Sequence, residues 1–203
     1  MSIKSKSILL VIILLIIDQW SKIYVKTHFV LGESVDVLSW FKITFIENEG
    51  AAFGMKVIGK LFLTLFRIAA IAVLIVFISK LIKRQARTGY ILVISLLLAG
   101  AVGNLIDSLF YGMFFTQSTS ASVAQFLPHG GGYAPFLYGH VVDMFYFPII
   151  TSNSGEVLFF KWIFNVADSC VTVSVILILL FFRNDLNKSL DNKEKKEISY
   201  DKE

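Results

Sequence analysis

Phe164-Asn-Val-Ala-Asp-Ser-Cys-Val-Thr-Val-Ser-Val-Ile-Leu-Ile-Leu-Leu-Phe-Phe182 is an apolar run carrying one charge, Asp168, near its start. Begun at Trp162, it reaches the roughly 20 residues that a helix needs to cross a bilayer. A carboxylate in or beside hydrocarbon is costly, so Asp168 marks a functional site by default. A second aspartate, Asp143, stands in Val141-Val-Asp-Met-Phe-Tyr-Phe147, also among apolar and aromatic neighbours. Two such carboxylates suggest a dyad that shares one proton and does acid–base chemistry.

Working outward, the 203-residue chain is 56% hydrophobic, with a mean hydropathy of +0.71. A soluble domain of this size would not carry so much apolar surface. Four spans are predicted, at about 7–25, 61–82, 90–110 and 162–182. Lys4 and Lys6 precede the first, as in a signal peptide, but Asp18-Gln-Trp-Ser-Lys22 follows with no small-residue cleavage site. It reads as a retained span. With both termini placed in the cytoplasm, the inner segments hold twelve Lys and Arg residues and the outer segments five. Residues 108–160 have none, as the positive-inside rule expects of a translocated loop. This distribution also accounts for the formal charge of +4 without nucleic acid. The expectation is an all-α membrane protein: four transmembrane helices, a small outer-face β segment and an extended outer loop. Residues 1–182 form one domain, and the polar, mixed-charge stretch 183–203 is a disordered cytoplasmic tail.

Two outer segments join the spans. In the first, Val35 to Ile46 is rich in β-branched and aromatic residues and predicts short strands on the membrane surface. Asn48-Glu-Gly-Ala-Ala-Phe-Gly54 follows, a small-residue turn that a peptide backbone can approach closely. In the second, Pro128-His-Gly-Gly-Gly-Tyr-Ala-Pro135 is loop chemistry. Phe145-Tyr146-Phe147 suits the headgroup level.

Three clusters of polar residues share helix faces. Asp18, Ser21 and Lys22 are one, either a support for a polar site or a local Asp–Lys pair. Gly100, Gly103, Asn104 and Asp107 are another: close helix packing explains the glycines but not the two polar residues at the outer end. Asn165 and Asp168 point the same way, and Asn165 can donate to a carboxylate or a substrate carbonyl. The alternative there is a buried structural network. The single cysteine, Cys170, reads as a small core residue. His129 and His140 lie in a loop with no HExxH pattern and no cysteine partner, so no metal site and no cofactor are expected.

Five blocks, in order, resemble the lipoprotein signal peptidases (signal peptidase II). They are Asp18-Gln-Trp-Ser-Lys22, Asn48-Glu-Gly-Ala-Ala-Phe-Gly54, Gly100-Ala-Val-Gly-Asn-Leu-Ile-Asp107, Val141-Val-Asp143 and Phe164-Asn-Val-Ala-Asp168. The resemblance implies an intramembrane aspartic endopeptidase that cuts prolipoprotein signal peptides before a diacylglyceryl-modified cysteine. It implies Asp143 and Asp168 as the catalytic pair, with Asn48, Gly50, Asn104 and Asn165 lining the substrate cleft. Asp18, Lys22 and Asp107 would be structural support. It further implies a bacterial cytoplasmic (inner) membrane protein with its active site near the outer face, membrane lipids as neighbours, and globomycin-type peptides as inhibitors.

The chain departs from the family pattern twice. The family usually has Arg after the aspartate matching Asp107, where this chain has Ser108, and about 114–140 is an insertion. Arg67, inside the second span, must find a partner. It is expected to take over the missing arginine's role near Asp107 or the substrate. The alternative is an arginine that snorkels to the headgroups. Rival readings, a proton-coupled transporter or a lipid-binding scaffold, leave the aspartate pair or the span number unexplained.

Overall fold

The computed structural model describes residues 1–49, 56–151, 157–159 and 161–200. Helix α1 spans Ile3–His28, capped by Ser2, whose hydroxyl accepts the Ser5 N–H at 3.2 Å. Strands β1 (Ser34–Leu38) and β2 (Phe41–Asn48) follow, then helices α2 (Lys56–Lys83) and α3 (Thr88–Ile106). A π-helical turn, Asp107–Tyr111, and a last turn of helix, α4 (Gly112–Phe114), continue α3. Next come β3 (Val141–Tyr146), β4 (Ile150–Thr151), β5 (Val157–Phe159), β6 (Ile163–Phe164), α5 (Val166–Phe181) and α6 (Arg183–Tyr200).

Among the described residues, three helices are long and apolar enough to cross a membrane: Ile3–His28, Gly59–Lys83 and Thr88–Phe114. A fourth span results if α5 and α6, bent by 85° at their junction, count as one. Within its most apolar stretch α3 is 56% buried, against 17% for α1 and α2, so α3 is the central helix. It packs on α1, α2 and α5. The glycines of α3 make this possible. A Cβ at Gly103 would stand 2.6 Å from Asp18 Oδ2 and 2.9 Å from Ala167 Cβ, and one at Gly100 would stand 2.4 Å from the Ala167 carbonyl oxygen.

The chain is mostly helical, but all-α is too simple. β1, β2, β3 and β6 form an antiparallel sheet in that order, and β4 pairs with β5. The β segment predicted at 35–46 is half of this sheet. The other half includes Val141–Tyr146, whose aromatics suggested the headgroup level. Its β pattern was masked because Val141 to Met144 are all buried, so no apolar–polar alternation marks the strand. Phe145 pairs with Phe164 and Tyr146 with Ile163.

The last helix begins at Val166, four residues later than predicted from Trp162. Hydropathy cannot separate the apolar strand β6 from the apolar helix it feeds. Asp168 therefore lies in the first turn of α5 rather than two turns inside it. The stretch after Arg183, expected to be disordered, is helical to Tyr200. Lys, Glu and Leu, common there, are good helix formers.

The insertion is tied down. Its Phe115 and Ala124 are buried with Val25, Phe45, Tyr111, Val142 and Met144. Backbone bonds run from Leu31 N–H to the Thr119 carbonyl (2.9 Å) and from Gly139 N–H to the Ser108 carbonyl (3.0 Å). Lys26, fully buried, lies over the rings of Phe115 and Tyr133 and pairs with Glu47.

Candidate active site

Asp143 is buried in the middle of β3, opposite Ile46 of β2. The β3–β6 pairing ends one residue before Asn165, the N-cap of α5. This short pairing carries the start of α5 to Asp143. Asn165 and Asp168 form a reciprocal capping box: Asn165 Oδ1 accepts the Asp168 N–H at 2.8 Å, and Asp168 Oδ2 accepts the Asn165 N–H at 3.3 Å. Because a backbone N–H only donates, the amide orientation of Asn165 is determined, and its Nδ2 points the other way. That Nδ2 donates to Asp143 Oδ1 at 2.7 Å, to the Val142 carbonyl at 3.1 Å and to Asn104 Oδ1 at 3.1 Å. One fully buried side chain thus touches both carboxylate-bearing segments.

Asn104 supplies the second link. Its Nδ2 donates to Asp168 Oδ1 at 2.7 Å, while its Oδ1 accepts from Lys22. Lys22 Nζ has three protons and three acceptors, each at 3.0 Å: Asp18 Oδ2, Asp107 Oδ2 and Asn104 Oδ1. Asp18 Oδ1 accepts the Ala167 N–H at 2.8 Å, at the positive end of α5. Asp107 Oδ2 accepts the Val142 N–H at 3.2 Å, next to Asp143. A buried network therefore runs from α1 through α3 to both aspartates. Ser21, on the same face as Asp18 and Lys22, stays outside it and donates to the Asp18 carbonyl.

Burial, then the charge of Asp168, push the Asp143 carboxyl up to about 7, and the Asn165 hydrogen bond offsets only part of this. Glu47, on β2, goes the other way. Burial opposes its ionisation, but hydrogen bonds from His140, Lys26 and Ser118 and the Lys26 charge outweigh burial and hold it at about 2.

Arg67 does not snorkel away. Its Nη1 donates to Ser108 Oγ at 3.0 Å, and it lies within electrostatic reach of Asp168, Asp107 and Asp143. Ser108, fully buried on the π-helical turn, donates to the Asn104 carbonyl at 3.0 Å. Asn48 ends β2 opposite Val141 and is exposed. Gly50 lies outside the described residues.

Three participants had not been singled out. Lys60 Nζ donates to Ser108 Oγ at 3.3 Å. Its signal was the spacing Lys60, Thr64, Arg67, which places three polar residues on one face of an apolar helix. Gln19 Nε2 donates to Asp18 Oδ2, the Gly103 carbonyl and Asp107 Oδ1 at 3.0 to 3.2 Å. It sits within a quoted block, but nothing in its spacing marks it. Glu47 gives no sequence signal, because its partners Lys26, Ser118 and His140 are far away in the chain.

The family model described as Signal peptidase (SPase) II matches residues 10–183. The chain belongs to the signal peptidase II family. A lipoprotein signal peptidase of Porphyromonas gingivalis (strain ATCC 33277) is 43% identical over 195 residues, covering 91% of this chain and 86% of the relative. One from Staphylococcus aureus (strain JH9) is 34% identical, covering 95% and 94%. Two solved structures, described as bacterial membrane enzymes determined by the in meso method at 2.3 and 1.9 Å resolution, are also similar. The first has a TM-score of 0.59 at 27% identity and covers 91% of both chains. The second has a TM-score of 0.60 at 29% identity and covers 87% of this chain and 91% of that one.

Proposed function

We propose that this chain removes signal peptides from prolipoproteins as an aspartic endopeptidase, cutting before a diacylglyceryl-modified cysteine, with Asp143 and Asp168 activating water. Family membership supports the peptidase activity. The observation that carries the aspartic mechanism is that both carboxylates bond to Asn165, with Asn104 holding Asp168 from the neighbouring helix.

Charge balance supports a singly protonated pair. The described cluster contains four carboxylates, Asp18, Asp107, Asp143 and Asp168, and three cations, Lys22, Lys60 and Arg67. With one proton on the pair the cluster is neutral, which is the inexpensive state in a low dielectric. The ionised partner takes a proton from water, and the resulting nucleophile attacks the scissile carbonyl. The protonated partner gives its proton to the carbonyl oxygen, forming a tetrahedral diol. As the diol collapses and the C–N bond breaks, that partner takes a hydroxyl proton back, and the other gives the proton it drew from water to the leaving amine. The two protons of the pair belong to coupled titrations, so the roles are those of the pair.

Arg67, Asn104 and Asn165 offer donors to the substrate backbone, and Asn48 and Gly50 edge the cleft. Asp18, Lys22 and Asp107 hold the network in place. The Lys and Arg distribution supports a multi-pass protein of the bacterial cytoplasmic membrane, with both termini inside and the site near the outer face. Diacyl anchoring of the substrate supplies binding of about 0.8 kcal/mol per buried CH₂. Globomycin-type peptides would compete for the same cleft. The deciding experiment incubates purified protein with a lipidated propeptide and reads the products on a gel. Asp143→Asn and Asp168→Asn should each abolish cleavage while melting like wild type. Normal product from either variant would end the proposal.

A further inference from the structure

α1 and α2 both pack on α3 but scarcely touch each other among the described residues. Between their ends remote from the aspartates lies an open cavity of about 530 Å³ with α3 as its floor. Its walls are apolar, with Ile8 and Ile12 from α1 and Ile75 from α2, and Lys4 and Lys83 stand at its rim. Inside it lies Ser7, 5% exposed, whose hydroxyl is buried without a hydrogen-bond partner among the described residues. The nearby hydroxyls of Ser79 and Ser95 are already committed to the backbone carbonyls of Ile75 and Ile91. An orphaned hydroxyl inside a membrane groove calls for a polar atom from outside the chain.

We infer that this groove binds an anionic glycerophospholipid, with the phosphodiester between Lys4 and Lys83, an acyl chain along the isoleucines, and an ester oxygen accepting from Ser7. Basic pockets between spanning helices bind anionic headgroups in this way. The other apolar occupant to consider is the substrate's signal peptide. Its terminal n-region is positively charged, and with its cleavage site at Asp143 and Asp168 that region would lie at this end of the bundle. Lys4 and Lys83 repel it and attract a phosphate. The aspartates lie elsewhere: Asp18 is eleven residues beyond Ser7 on α1, about 16 Å along the helix.

Native mass spectrometry of the full-length protein, equilibrated with equal phosphatidylglycerol and phosphatidylcholine of the same acyl chains, reads the site. Wild type should retain phosphatidylglycerol preferentially, by about fivefold for each lysine, the strength of one lysine facing an anionic membrane. Lys4→Gln with Lys83→Gln should bring the ratio to parity, and Lys4→Arg with Lys83→Arg should keep it. Ser7→Phe, which fills the groove, should lower retention of both lipids without changing propeptide cleavage. Equal retention by wild type would overturn the inference. So would an unchanged preference in the Gln pair, which would place the lipid on Lys6, Lys80 or Arg84 instead. Displacement of the lipid by propeptide added to the Asp143→Asn protein would assign the groove to the substrate. The lipid-retention readouts need no turnover, so they stand or fall independently of the proposed cleavage.

Discussion

Asn165 has two separable jobs, and two substitutions divide them. Its Oδ1 caps α5 through the Asp168 N–H, and its Nδ2 donates to Asp143 at 2.7 Å. Asn165→Ser keeps an oxygen for the cap but has no amide to reach Asp143. Asn165→Ala loses both. Loss of an N-cap costs about 1 kcal/mol, and loss of a hydrogen bond to a charged group about 1.5–3 kcal/mol. The alanine variant should therefore lose about 2.5–4 kcal/mol and the serine variant about 1 kcal/mol less.

The pH profile carries the mechanistic information. The Asn165 bond favours the charged form of Asp143, so removing it raises a carboxyl already pushed up to about 7. The pair then keeps its proton to higher pH. The alkaline limb of propeptide cleavage should move up in both variants, by about one pH unit for about 1.4 kcal/mol of lost stabilisation. Cys170, the single cysteine and buried, reports unfolding through a thiol-reactive dye. Cleavage measured between pH 5 and 9 gives the limb. If Asn165→Ser loses stability but its alkaline limb coincides with that of wild type, the bridge between Asn165 and Asp143 does not tune the pair.

Other outcomes follow from single contacts. Arg67→Ala should lower kcat/KM by about a hundredfold, the usual cost of removing a preorganised charge donor. Adding Ser108→Arg should restore much of it, whereas full activity in the single variant would remove Arg67 from the site. Glu47 is held at about 2, below its ordinary 4.5, so the stability it contributes is present above about pH 4.5 and is lost as pH falls towards 2. The shift corresponds to about 3 kcal/mol, so Glu47→Gln should melt lower at pH 7 and converge with wild type near pH 2. A parallel pair of melting curves across that range would contradict this. Gly103→Ala drives a Cβ to within 2.6 Å of Asp18 Oδ2. It should cost about 1–3 kcal/mol through overpacking, read as a lower melting temperature together with reduced cleavage.

Much of this arrangement was legible from periodicity and from the scarcity of charge. Apolar length located α1, α2 and α3, and charge inside apolar runs singled out Asp18, Lys22, Arg67 and Asp168. Strand β3 was not legible because both its faces are buried and its partners, β2 and β6, lie far away or are only two residues long. The start of α5 was within reach. Asn165 and Asp168 have capping-box spacing, and weighing that above hydropathy would have begun the helix at Val166. The Glu47 cluster was beyond reach, since its four side chains come from α1, β2 and two parts of the insertion.

Ser108 shows why a motif departure cannot be judged one position at a time. An arginine there would place a cation on the same turn as Asp107. The serine instead leaves room for Arg67 and Lys60, which reach its hydroxyl from α2. The charge facing the aspartates is thus supplied from another helix, and Ser108 couples it to α3 through the Asn104 carbonyl. Asn104 in turn holds Asp168. The cation and the carboxylate it faces are joined by three hydrogen bonds, relayed through Ser108 and Asn104. Moving the arginine back to position 108 while deleting it at position 67 conserves the net charge and changes only its tether. A rescue by that exchange would mean that the site requires charge near the pair more than it requires a particular helix to deliver it.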